Sequence, residues 1–149
     1  MKFIDLENLQ LKTFTESDAL DYCQLNNINP LNITELNLYK NKLTDISGIR
    51  IFKNLQYLYL FENKIKNISN LKYLKQLITL HLSDNQIEDI SVLSNLNYLK
   101  NLKIINLKLE SDQIEYIKSL NNLKELWCNK GFKNMTVLKQ LNKDIKIII

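Results

Sequence analysis

The sequence predicts a single α/β solenoid, built from short coils that each contribute one strand and one helical return. Three observations carry that expectation. The motif L-x-x-L-x-L-x-x-N-x-L/I occurs three times in tandem, starting at Ile33, Leu55 and Leu77, 22 residues apart. Each copy changes its hydrophobic period part-way, from two to three. An asparagine stands at the same place in every copy: Asn41, Asn63 and Asn85.

In the first half of each copy, Leu36 and Leu38, Leu58 and Leu60, and Leu80 and Leu82 alternate with polar residues. Alternation of this kind marks a strand with one buried face. In the second half, Ile46, Ile49 and Phe52 are three residues apart. Ile68, Leu71 and Leu74 repeat the spacing, as do Ile90, Leu93 and Leu96. A period of three suits a 3-10 turn or short helix with one buried stripe. Such a coil cannot bury its stripe alone, so stacked coils build the core. An Asn amide carries two donors and an acceptor, so a stacked row of them can satisfy backbone groups left unpaired at a sharp bend.

These motifs, LNLYKNKLTDISGI from Leu36, LYLFENKIKNISNL from Leu58 and LHLSDNQIEDISVL from Leu80, resemble the leucine-rich repeat family. They are most similar to the short 22-residue class of internalins and some phosphatase regulators. The D/N-I-S triplet recurs as Asp45-Ile46-Ser47, Asn67-Ile68-Ser69 and Asp89-Ile90-Ser91. The resemblance implies a right-handed leucine-rich-repeat solenoid. Its parallel sheet would line the concave side, with short helices or 3-10 turns on the convex side. It also implies a binding role rather than catalysis.

Residues 33–149 hold about five repeats on this reading, and residues 1–32 form an N-terminal helical cap with a degenerate repeat. In the cap, Leu6, Leu9 and Leu11 are the expected first strand. Thr15-Glu16-Ser17-Asp18 is a capping-box start to a helix holding Ala19, Leu20 and Cys23. Downstream, the strand pattern is expected to restart 25 residues on, at Leu102, Ile105 and Leu107, with Glu110 in the asparagine position. The extra residues would extend the third return through Tyr98 and Leu99. Ser111-Asp112 then offers an N-cap to a stripe of Ile114, Ile117 and Leu120. The fifth repeat has Leu123, Leu126 and Cys128 inward, Gly131 in the asparagine position, and Met135, Leu138 and Leu141 as its stripe. A last strand from Asp144 would turn Ile147 and Ile149 inward.

The concave face follows from the frame. Its middle column is expected to be Asn37, Tyr59, His81, Asn106 and Trp127. Two residues earlier run Glu35, Tyr57, Thr79, Ile104 and Glu125, and two residues later run Tyr39, Phe61, Ser83, Lys108 and Asn129. Aromatic side chains grouped on an exposed face invite association, and Tyr and Trp dominate binding hot spots. Tyr39, Tyr57, Tyr59, Phe61, His81 and Trp127 are therefore the expected partner-binding residues. The competing reading has these rings as scattered surface residues, or packing against each other and the cap.

Composition bounds the rest. The chain has 149 residues, 45% hydrophobic and 24% charged, with two glycines, one proline and a net charge of +4. That is one ordinary domain, large enough for a core without disulfides or metals. Glycine-lined nucleotide motifs and the common hydrolase and metalloprotease motifs do not occur. His81 is the sole histidine, so acid–base dyads and histidine metal clusters are not expected, nor is any cofactor. No apolar run approaches the ~20 residues of a spanning helix. The N-terminus shows no secretion signal, and with two distant cysteines a cytoplasmic location is expected. That opposes an internalin-like surface receptor. Three N-x-S/T matches, at Asn32, Asn67 and Asn134, have little weight in an asparagine-rich chain.

The expected function is non-catalytic protein–protein interaction, as an adaptor or regulator. The alternative is a subunit of an RNA-associated or ribonucleoprotein complex, on the mild basicity and on the resemblance, since some short leucine-rich-repeat proteins sit in such particles. The β-prone end, Ile145 to Ile149, also raises self-association through the C-terminal strand, unless charged flanks and the last helix protect it.

Overall fold

A computed structural model of the chain describes residues 2–129 and 144–149. Seven strands form one parallel sheet in sequence order: β1 (Lys2–Asp5), β2 (Ile33–Asn37), β3 (Tyr57–Tyr59), β4 (Thr79–His81), β5 (Asn101–Lys103), β6 (Glu125–Trp127) and β7 (Lys146–Ile148). Pairing sets Leu36 beside Leu58, Leu58 beside Leu80, Leu80 beside Leu102 and Leu102 beside Leu126. These leucines point into one continuous core and are fully buried. The alternate strand residues form the open, concave face. No helix among the described residues is long and apolar enough to cross a membrane.

Strands β2 to β5 each end in the same bend. Lys40, Glu62, Asp84 and Asn106 all adopt left-handed backbone, with φ of 55°, 53°, 57° and 58°. That conformation is unfavourable for residues with a Cβ and persists only where surroundings fix it. Here the fixing group is the asparagine one residue later in the first three of these bends. Asn63 Nδ2 donates to Leu38 O at 2.9 Å and Leu60 O at 3.0 Å, and its Oδ1 accepts from Leu43 N at 3.0 Å. Asn85 repeats the set with Leu60 O, Leu82 O and Ile65 N, at 2.9 Å each. Asn41 joins Leu6 O, Leu38 O and Leu11 N. The expected asparagine ladder is present, and each member ties its own coil to the preceding one.

The D/N-I-S triplets acquire a physical reason in the returns. Asp45, Asn67 and Asp89 each accept, through Oδ1, from the backbone N–H of Ser47, Ser69 and Ser91, at 2.7–2.8 Å. This local turn starts the 3-10 segments Ser47–Ile51, Ser69–Tyr73 and Ser91–Asn95. Their buried stripe is the one expected.

Two expectations of register are corrected. The third coil keeps 22 residues, from Leu77 to Leu99, because Leu99, Leu102 and Ile104 fill the same three inward places as before. Ile105 lies on the open side instead of facing inward, and Leu107 occupies the asparagine position, not Glu110. The alternation of Ile105 with Leu107 imitates a strand, but Leu80 pairs with Leu102. The lengthening falls one coil later, where helix α2 (Ile114–Lys118) follows a 3-10 turn at Ser111–Gln113. Ile114, Ile117 and Leu120 are buried as expected, but no side chain caps either segment.

At the N-terminus, β1 starts earlier than expected. Ile4 and Leu6 face inward, while Leu9 is 56% exposed because the chain bends away after Leu6. Helix α1 (Glu16–Leu25) opens with the expected capping box: Thr15 Oγ1 accepts from Asp18 N, and Thr15 N donates to Asp18 Oδ2. Those hydrogen bonds hold the Asp18 carboxyl below the usual carboxylate range. Ala19 and Cys23 are buried, but Leu20 is exposed. At the other end Leu126 pairs with Ile147, which is half-buried as an inward residue. Ile149 is 55% exposed rather than inward. Gly131, Asn134, Met135, Leu138 and Leu141 lie outside the described residues.

Candidate partner-binding face

The open face is built from three side-chain columns fixed by the strand register. The middle column is Asp5, Asn37, Tyr59, His81, Lys103, Trp127 and Ile148. The earlier one is Phe3, Glu35, Tyr57, Thr79, Asn101, Glu125 and Lys146. The corrected frame removes Ile104, Asn106 and Lys108 from the expected columns and substitutes Asn101, Lys103 and Ile105. Ile104 is in the core, and Asn106 is at the bend.

All six expected binding residues do lie on this side, and all are half-buried. Tyr39, Phe61 and His81 form one stack across three coils. Ring centroids are 3.8 Å apart between Tyr39 and Phe61 and 4.0 Å between Phe61 and His81, with interplanar angles of 15° and 14°. Each such ring pair contributes roughly 0.5–1.5 kcal/mol beyond its buried area. Packing against one another, the bland alternative for these residues, is therefore real for this trio, and it presents a rigid surface of ring edges. Tyr57 and Tyr59 pair with Glu35 and Asn37 on one side and Thr79 and His81 on the other. Burial, then the Glu35 carboxylate and the Tyr57 phenol, raise the Tyr59 phenol above its usual range, so it stays a neutral hydroxyl.

His81 is pushed down to about 4, first by burial against its neighbours and then by the Lys103 ammonium, with Asp84 opposing. The folded state therefore holds a neutral imidazole at pH 7. An unfolded histidine protonates near 6.5. Below that pH the unfolded chain binds the extra proton and the folded chain does not, so stability falls between about 6.5 and 4. His81→Phe, which keeps the stack, is expected to flatten that part of the stability curve relative to wild type. Parallel urea titrations from pH 7 to pH 4 check this; equal slopes for both proteins would show that His81 is not desolvated.

Trp127 is separated from the aromatic trio by β5. Lys103 Nζ sits 4.5 Å from the Trp127 ring centroid, a cation–π contact that sequence reasoning missed because its frame slipped at this coil. The Trp127 indole N–H is buried and has no hydrogen-bond partner among the described residues. Ser83, expected on the face, is buried and accepts from Ile105 N at 3.0 Å. Both cysteines are buried, and burial raises their thiols. Among the described residues, no three His, Cys, Asp or Glu side chains converge as a metal site.

A family model for leucine-rich repeats, in two copies, matches residues 31–73. Solved structures agree with it over nearly the whole chain. An internalin (inlF) of Listeria monocytogenes superposes with a TM-score of 0.72 at 29% identity, covering 91% of this chain and 37% of that one. The chain carries leucine-rich repeats and folds as a leucine-rich-repeat solenoid. A leucine-rich-repeat protein of Leptospira interrogans gives 0.72 at 25% identity, with 94% and 35% covered. Internalin C2 of Listeria monocytogenes gives 0.66 at 25%, with 97% and 79% covered. These repeats thus span little more than a third of the first two proteins they resemble. No curated protein matches the chain in sequence. Leucine-rich repeats generally serve as protein-interaction modules and are typically non-catalytic.

Proposed function

We propose that the chain binds a partner protein through its concave sheet face and works as an adaptor or regulator without chemistry of its own. The observation that carries this reading is the aromatic field on β2–β4. Tyr39, Tyr57, Tyr59, Phe61 and His81 are adjacent, held by the sheet register and by stacking, and still half-open to solvent. Rigid aromatic side chains on strands lose little entropy on docking, which favours them as anchors.

The test is capture of partners from source-cell lysate by wild type and by Tyr57→Ala/Tyr59→Ala/Trp127→Ala, with circular dichroism unchanged. A protein retained by wild type alone is the expected result. Equal capture by both proteins would move the binding surface off this face. RNA captured in a salt-sensitive way would favour an RNA-associated role instead.

A further inference from the structure

The charges of the open face are sorted along the solenoid. At its first two strands stand Asp5, Glu7 and Glu35, with Lys2 as the opposing charge at the start of β1. Asn37 Nδ2 donates to Asp5 Oδ1 at 3.0 Å and to Glu7 Oε2 at 3.4 Å, which draws two carboxylates together without neutralising them. The middle strands carry no formal charge on the face: Tyr57, Tyr59, Phe61, Thr79 and a neutral His81. The sign then changes on β5, where Lys103 lies over Trp127. Glu125, the carboxylate on β6, already pairs with Lys146 at 3.3 Å.

The ion pairs among the described residues are Arg50–Glu16, Lys118–Glu115 and Lys146–Glu125. None of them involves Asp5, Glu7, Glu35 or Lys103. Like charges on neighbouring strands repel, so carboxylates without an ion pair crowd one end of the face and Lys103 stands towards the other, with aromatic rings between.

We infer that this face takes a polypeptide segment of a partner protein with matching polarity. Basic side chains would lie over β1–β2, an apolar or aromatic centre on the Tyr57–Tyr59–Phe61 field, and acidic side chains over β5–β6. The inference rests on the concave-face reading above and adds the chemistry and orientation of the occupant. Charge complementarity of this kind sets register and rejects wrong partners. From β1 to β6, at about 4.8 Å per strand, the face runs about 24 Å, which about seven extended residues cross. A nucleic acid would find the lysines but meet three carboxylates at the other end. A second copy could pair acid with base, but two concave faces meet only at their rims.

The experiment selects a phage-displayed library of random dodecapeptides against five folded proteins. These are wild type, Glu7→Lys/Glu35→Lys, Lys103→Glu, the variant that combines these three reversals, and Tyr57→Ala/Tyr59→Ala. Wild type is expected to enrich peptides with Lys or Arg on one side of an aromatic residue and Asp or Glu on the other. Synthetic copies are expected to lose about tenfold or more in affinity on either charge reversal. The variant with all three reversals is expected to enrich the opposite charge order. Enriched peptides without charge asymmetry, or affinities unmoved by reversal, overturn the polarity. If those peptides still lose binding to Tyr57→Ala/Tyr59→Ala, the concave-face reading survives; if they bind it as wild type, that reading falls as well. Oligouridylate bound more tightly than any selected peptide, or a dimer dissolved by the same reversals, also overturns the inference.

Discussion

Asn63→Ala is expected to destabilise the protein by about 2–4 kcal/mol, although Asn63 is a small polar residue in an apolar solenoid. Its amide serves three backbone groups at once, and it is 8% exposed, so water does not replace it. Removal leaves the Leu43 N–H without its acceptor. The carbonyls of Leu38 and Leu60 fare better, because Asn41 and Asn85 also donate to them. The cost is therefore that of one orphaned buried donor plus a cavity and loss of the tie between coils. Asn63→Leu fills the space but not the hydrogen bonds, and is expected to fall in the same range. Urea unfolding followed by circular dichroism measures it. A loss under about 0.5 kcal/mol, the range of ordinary surface substitutions, would show that the bends are held by the strands alone.

Gly48→Ala is the second large effect. An added Cβ would lie 2.3 Å from Thr15 O and 2.7 Å from Phe14 O. Gly48 N also donates to Phe14 O at 2.7 Å, so the backbone that enters α1 lies directly on this turn. The equivalent positions in the next two coils are Asn70 and Val92, where no helix entry crosses. Glycine is thus required by close approach in one coil only. A methyl group there must push the Phe14–Thr15 segment away, opening the Phe14–Phe52 stack and the Arg50–Glu16 pair. The expected cost is about 3 kcal/mol, with the first coil opening before the rest. Hydrogen exchange should show lost protection in α1 while β4–β6 keep theirs. Asn70→Ala serves as the control and is expected to stay within about 0.5 kcal/mol of wild type. Unchanged α1 protection in Gly48→Ala would mean that the contact yields freely.

Where the repeat is regular, the sequence was enough to place side chains. Leu36, Leu58 and Leu80 face inward, Asn41, Asn63 and Asn85 form the ladder, and Thr15 with Asp18 caps α1, all from spacing alone. The reading failed where one apolar residue stood in a polar place. Leu107 in the asparagine position completed a false alternation with Ile105 and slipped the frame by three residues. The outcome was a missed Lys103 and a missed Lys103–Trp127 contact. Keeping the 22-residue period from Leu77 to Leu99 would have found both. The close approach behind Gly48 was illegible for a different reason, since it joins segments about 33 residues apart and leaves no periodic trace. The ring stack sits between these cases. Its members were read correctly, but only coordinates show that Phe61 lies flat against His81 while His81 pairs in register with Tyr59.

The affinity of a captured partner for two variants of equal stability bears most directly on the concave face. One is Tyr57→Ala/Tyr59→Ala, and the other is Lys72→Ala/Tyr73→Ala, on a 3-10 return, where Lys72 lies 5.1 Å from the Tyr73 ring. Calorimetric titration should show a loss of at least about a hundredfold for the first, in line with two hot-spot tyrosines, and little change for the second. Wild-type affinity in the first variant, with the loss in the second, would contradict a concave binding face and put the partner on the convex side.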